Sequence, residues 1–180
     1  MELTGGAALL GVLTRMVLRG QLISLCFSIL MILLIMTLVF RSVTGGLLAT
    51  LPMVASVIMM FGLMGYLDIP LNMTTSMLTG ILVGVGVDYT VHFLWHLREH
   101  IKSGDSLDDA IATTLRISGK GILFNGLSVI IGFSALLFSV FVPVQIFGIL
   151  VMGSISLCLF GALATLPALI SLINPKFLYR

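Results

Sequence analysis

Apolar and polar residues in this chain are sorted into long blocks rather than interleaved. Five apolar blocks cover about residues 21–40, 45–67, 73–97, 121–140 and 144–173. Each matches or exceeds the ~20 residues that a helix needs to cross ~30 Å of hydrocarbon. A helix also satisfies every backbone group internally, which a lone strand in lipid cannot do. The pattern therefore predicts five transmembrane helices, with Pro52 near the start of the second and Pro167 near the end of the fifth.

Polar residues gather between the blocks. Arg41-Ser42-Val43-Thr44 separates the first pair, and Asp68-Ile69-Pro70-Leu71-Asn72 the second and third. Val142-Pro143 marks the last turn. The one long connector runs from Arg98 to Lys120. Within it Ser106 stands three residues before Asp109, the pattern of a capped helix start. Leu107, Ala110, Ile111, Thr114 and Leu115 follow at helical spacing, which predicts a short surface helix over about 106–117. Residues 1–19 read as a second interfacial helix, because Leu9, Leu10, Leu13, Met16 and Val17 form a stripe beside Arg15 and Arg19. The organisation is then an interfacial helix (1–19), a membrane bundle (20–173) and a cytoplasmic tail (174–180).

Composition points the same way. Hydrophobic residues make up 59% of the 180-residue chain and charged ones 9%, against roughly 25% charged in an average soluble domain. The net charge of +2 is too small for nucleic-acid binding. Cys26 and Cys158 both lie in apolar runs and read as small core residues. Basic residues set the orientation. With the C-terminus in the cytoplasm, Arg41, Arg98, Lys102, Arg116, Lys120, Lys176 and Arg180 all lie inside, and only Arg15 and Arg19 lie outside. The two outer arginines flank the first span and argue locally the other way.

Every Lys and Arg, and every acidic residue but one, falls in a terminus or connector. The exception is Asp88, about fifteen residues into the third block. A charged carboxylate at that depth costs roughly 2.5–3.5 kcal/mol. A carboxyl that can gain or lose a proton there suits a proton relay; the alternative is a neutral Asp that only bonds a neighbouring helix. Gly80 and Gly84 precede Asp88 at four-residue steps, and Gly86 removes another side chain just before it, so a partner helix can come close. Tyr89 is adjacent in sequence, so its coupling to Asp88 runs through partner helices or water. His92, His96 and His100 continue the four-residue steps toward the cytoplasmic end. His92 could extend a proton wire, while His96 and His100, with Trp95, also fit a polar helix end at the interface. The pattern favours no metal site, since His100 falls outside the bilayer and no acid or thiol is placed to help. Asn125, in the fourth span with Ser128 one turn on, can bond Asp88 across a helix pair or serve as interhelical glue. Thr74, Thr75, Ser76 and Thr79 make the start of the third helix polar, as a hydrated outer entrance would be.

The run Gly84-Val85-Gly86-Val87-Asp88-Tyr89-Thr90-Val91-His92-Phe93 resembles the resistance-nodulation-division (RND) superfamily, and within it the MMPL-type exporters related to Patched and sterol-sensing proteins. Phe40-Arg41-Ser42, Leu51-Pro52, Gly65-Tyr66-Leu67-Asp68-Ile69-Pro70-Leu71-Asn72, Arg98-Glu99, Asn125, Gly132-Phe133, Pro143 and Gly148 continue the resemblance over residues 20–170. It implies an all-α polytopic membrane protein formed by the last five helices of a twelve-helix transporter, in a bacterial or archaeal cytoplasmic membrane. It implies a proton relay through Asp88 and Tyr89 that drives export of lipids or other hydrophobic compounds. Protons would be the coupling ion, with no other cofactor. The partners would be membrane lipids, the remaining transmembrane half and the periplasmic domains, in the same chain or another, with oligomerisation open. Two other functions stay in view: a sterol-sensing or lipid-binding module without flux, and a helper of protein translocation like SecD/SecF. No nucleophile–base pair, metal-ligand cluster or phosphate loop suggests an enzyme.

Overall fold

The structure, a computed structural model, describes the backbone of residues 2–179 and the side chains at all of these except 2–10, 13, 14, 73, 74 and 176. Leu9, Leu10 and Leu13 of the amino-terminal stripe thus lie outside the described side chains. Among the described residues there is no strand. Six α-helices follow one another: α1 (Glu2–Phe40), α2 (Val43–Tyr66), α3 (Met73–Lys102), α4 (Leu107–Ser134), α5 (Val142–Phe160) and α6 (Leu166–Ile173). Five stretches are long and apolar enough to span a membrane: Arg15–Phe40, Val43–Tyr66, Thr75–Lys102, Leu107–Phe138 and Val142–Ile173.

The sequence marks the helix starts well. Asn72 caps α3 reciprocally: its side chain accepts from the Thr75 amide at 2.9 Å, and its own amide donates to Thr75 Oγ1 at 2.8 Å. Ser106 caps α4, accepting from the Asp109 amide at 3.3 Å and donating to the Asp109 carboxylate at 2.6 Å. Arg41 (φ 49°) and Asp68 (φ 52°) turn the chain left-handed after α1 and α2, and Asn174 (φ 43°) does so after α6. Pro167 cannot donate to Leu163, and the ladder ahead of it opens into a π-helical turn over Gly161–Thr165 that joins α5 to α6.

Two boundaries differ from the sequence reading. Residues 2–19 do not form a helix separate from the first span, because α1 runs unbroken from Glu2 to Phe40. The surface helix over 106–117 is likewise continuous with the fourth span, as one helix from Leu107 to Ser134. Gly119 and Gly121, on either side of the boundary read at Lys120, cost helix stability but do not terminate a helix, and Gly119 is buried, where a Cβ would stand 3.6 Å from Leu163. The tail folds back: Phe177 and Leu178 are buried, and the Phe177 ring packs edge-on against Phe40 at 5.7 Å.

The core lies where α2, α3 and α5 meet. Met53, Val57, Met60, Phe93, Leu94, Leu97, Val151 and Ile155 are almost fully buried there. Small residues set the spacing. A Cβ on Gly86 would stand 3.1 Å from Met53 and 3.2 Å from Cys158, and one on Gly161 would stand 3.2 Å from Pro52. Without a hydrophobic drive between helices in lipid, such close approach is what holds a bundle together. The arrangement leaves α3 in the middle, with α2 and α5 behind it and α1 and α4 on its flanks.

Candidate functional site

Four residues singled out from the sequence meet in one cleft. Asp88, Tyr89 and His92 project from α3 and Asn125 from α4, around a cavity of about 330 Å³. The turn at residues 103–106 sets α3 and α4 antiparallel, which brings Asn125 level with Tyr89. The Tyr89 ring is 4% exposed, and its hydroxyl donates to Asn125 Oδ1 at 3.3 Å. Asn125 therefore ties α3 to α4 through Tyr89 and not through Asp88. A residue next to Asp88 on the helix points about 100° away from it, and the register of α4 decides which of the two meets Asn125. The amide N–H groups of Asn125 remain available to donate into the cleft.

The histidine row divides. His92 and His96 line the cleft with Asp88. His96 Nδ1 also lies 3.7 Å from Glu99, while His100 leaves the row to meet Asp105 at 3.2 Å. Among the described residues, no group of three His, Cys, Asp or Glu converges on one point. The reading of the sequence missed Ser118 and Gly121 on the α4 wall. The signal was there, because 118, 121 and 125 recur at helical spacing, but Ser118 falls within the stretch read as connector, and Gly121 has no side chain to mark it.

Asp88 is not enclosed by this chain. The sequence placed it among packed helices; the structure puts it on the face of α3 that lies between α1 and α4 and that no helix here covers. Met77 (65% exposed) and Trp95 (53%) mark the two ends of that face. Gly80 and Gly84 lie on it too, and a Cβ on either would meet nothing within 4 Å. Of the three glycines expected to pack around the site, only Gly86 packs within this chain. It is turned about 200° from Gly84, into the core. The arrangement offers an ionisable oxygen pair, a fixed phenol–amide clasp and two imidazoles around a space large enough for water.

The clasp has a measurable strength. A double-mutant cycle between Tyr89→Phe and Asn125→Leu, read by thermal unfolding in detergent, should give a coupling of about 0.6 kcal/mol and at most about 1.7. A cycle with no coupling would show that the two side chains do not hold each other.

The family model described as the MMPL family matches residues 1–178. Among individual proteins, "Putative membrane protein MJ1562" of Methanocaldococcus jannaschii is 29% identical over 139 residues. The aligned part is 77% of this chain and 36% of that protein, so the chain spans about a third of the relative's length.

Proposed function

Since the chain belongs to the MMPL family of RND-type membrane transporters, we propose that it is the proton-handling transmembrane part of an exporter driven by the proton gradient, with lipids or other hydrophobic compounds as cargo. The observation that carries this reading is Asp88: a single carboxyl, midway along a span, lining a cleft with Tyr89, His92 and Asn125. Charged, it needs water or donors; neutral, it can lie against another helix. Each protonation state favours a different packing of α3, and a gradient that loads and unloads the proton drives the helix between them.

The open face supplies the second half of the argument. A carboxylate turned to lipid at mid-span costs roughly 2.5–3.5 kcal/mol, so protein must cover it. Gly80 and Gly84 let a helix lie flat against α3 beside Asp88. The remaining transmembrane half of the exporter is the fitting partner, in the same chain or another, with periplasmic domains that receive the cargo. The carboxy-terminal end then faces the cytoplasm, on the side that holds most of the basic residues.

The test uses the complete transporter in proteoliposomes carrying a pH-sensitive dye and a fluorescent lipid. Proton uptake and lipid release should stop together when an uncoupler collapses the gradient. Release or lipid binding that is indifferent to the uncoupler would overturn the proposal in favour of a lipid-binding regulatory module.

A further inference from the structure

A second polar cleft crosses the apolar bundle on the other flank of α3. It lies between α1 and α3, has a volume of about 220 Å³, and is lined by Gln21, Ser24 and Ser28 on one wall and by Ser76, Thr79 and Gly80 on the other. Residues 21, 24 and 28 share one face of α1, and 76, 79/80 and 83 share one face of α3. The polar row of α1 therefore runs for about 10 Å along the helix axis, and Ser76 and Thr79 face it over one turn of α3. The rest of this part of α1 is apolar: Leu22, Ile23, Phe27 and Leu30 are all exposed. A polar seam inside such a helix costs transfer energy unless something hydrogen-bonds to it. Thr79, 6% exposed, lines both this cleft and a small apolar cavity toward α2, and its hydroxyl has no hydrogen-bond partner within the chain.

The shape and chemistry select water. An amide and two hydroxyls, from Gln21, Ser24 and Ser28, follow at single-turn intervals on the α1 wall and face Ser76 and Thr79, with Leu25 and Met77 between them, and the volume holds several waters. No charged or aromatic side chain lines the cleft to hold a lipid headgroup. The cleft also leads somewhere. It ends at Gly80 and Val83, and Asp88 lies about 12 Å farther along the axis from Gly80, so the last part of the path runs along the seam between α3 and the helix that covers that face.

We propose that the α1–α3 cleft is the water-filled route by which protons reach Asp88 from the end of the bundle where α3 begins. A proton passes along the hydrogen-bonded waters and comes to rest on a carboxylate oxygen of Asp88, with no other bond changed. The proposal rests on the reading of Asp88 as the proton carrier.

The test is cysteine accessibility in the complete transporter, in a Cys26→Ser background with buried Cys158 left in place. Ser24→Cys, Ser28→Cys and Thr79→Cys should react with a charged, membrane-impermeant thiosulfonate added on the outer side. Their rates should exceed that of Ile23→Cys, which faces away from the cleft, by about tenfold or more, because the reactive thiolate forms in water and not in hydrocarbon. Ile23→Cys should react only with a lipid-soluble maleimide. Thr79→Val, tested separately, should slow dye-detected proton uptake. If the three cleft cysteines react only with the lipid-soluble reagent, the cleft is dry or lipid-filled and the route is overturned, even where Asp88→Asn still stops flux. If they react with the charged reagent but Asp88→Asn leaves flux intact, the cleft is wet and the proton reading beneath the proposal has failed.

Discussion

Asp88→Asn in the complete transporter is expected to lower gradient-driven export by about 100-fold or more, while the protein still inserts, folds and elutes as the wild type does. Asparagine keeps the size and polarity of the side chain and removes only the exchange of a proton. The free energy that a protonation change can place on helix packing is the cost of the charge at that depth, roughly 2.5–3.5 kcal/mol. Each 1.36 kcal/mol corresponds to a factor of ten, so losing that difference removes about two decades or more of bias between the two packings. Folding should be spared, because Asp88 lies outside the α2–α3–α5 core and asparagine packs against a covering helix as a neutral Asp does. The experiment pairs dye-detected proton uptake and lipid release in proteoliposomes with thermal unfolding in detergent. Export at the native rate in a well-folded mutant would remove Asp88 from the coupling step. Loss of folding together with export would instead make it a structural residue. Asp88→Glu adds a discriminating arm: it restores the ionisable group and should recover part of the flux, which a merely structural Asp would not require.

How much of this was legible in the sequence depends on whether the information was local. The five spans follow from run length and from the exclusion of charge, so they needed only the chain itself. Asp88 followed by the same exclusion. Its surroundings did not, because a linear sequence counts charges but does not say which helices lie beside them. Gly80, Gly84 and Gly86 show the distinction. The step of four between the first two puts both on the open face, and the step of two turns Gly86 into the core, against Met53 and Cys158. That much was readable from helical geometry. That nothing in this chain covers Gly80 and Gly84 was not. The partner of Asn125 was hidden for a related reason: one residue of difference in the register of α4 against α3 decides between Asp88 and Tyr89. The packing of the tail was not legible, because Phe177-Leu178-Tyr179 is too short a run to signal burial. Phe177 is covered through its packing on Phe40 and Gly45, more than 130 positions earlier in the chain. The seam of Gln21, Ser24 and Ser28 went unnoticed because single polar residues in a strongly apolar helix look like noise until the facing helix shows a matching row.

Gly46→Leu is expected to open the α1–α2 hairpin and cost about 3 kcal/mol or more of stability, at or beyond the upper end of overpacking penalties. Gly46 sits in the first turn of α2, just after the two-residue turn at Arg41 and Ser42. A Cβ there would collide with the Thr37 side chain and stand 3.0 Å from the Thr37 amide nitrogen and 3.1 Å from the Leu33 carbonyl oxygen. A side-chain neighbour could rotate aside, as Leu159 can for a Cβ on Gly126. The backbone of α1 cannot, so the two helix axes must separate. Separation displaces α1, the helix that supplies Gln21, Ser24 and Ser28 to the polar cleft. Stability and hydration of the cleft should therefore change together. Gly62→Leu is the control, since it lies on the same helix with nothing within 4 Å of its Cβ and should gain helix propensity at no packing cost. Melting temperatures in detergent and the yield of folded protein would compare the two. Equal melting temperatures for Gly46→Leu and Gly62→Leu would show that α1 is not held at this close approach. A loss confined to Gly46→Leu would place the hinge of the hairpin there.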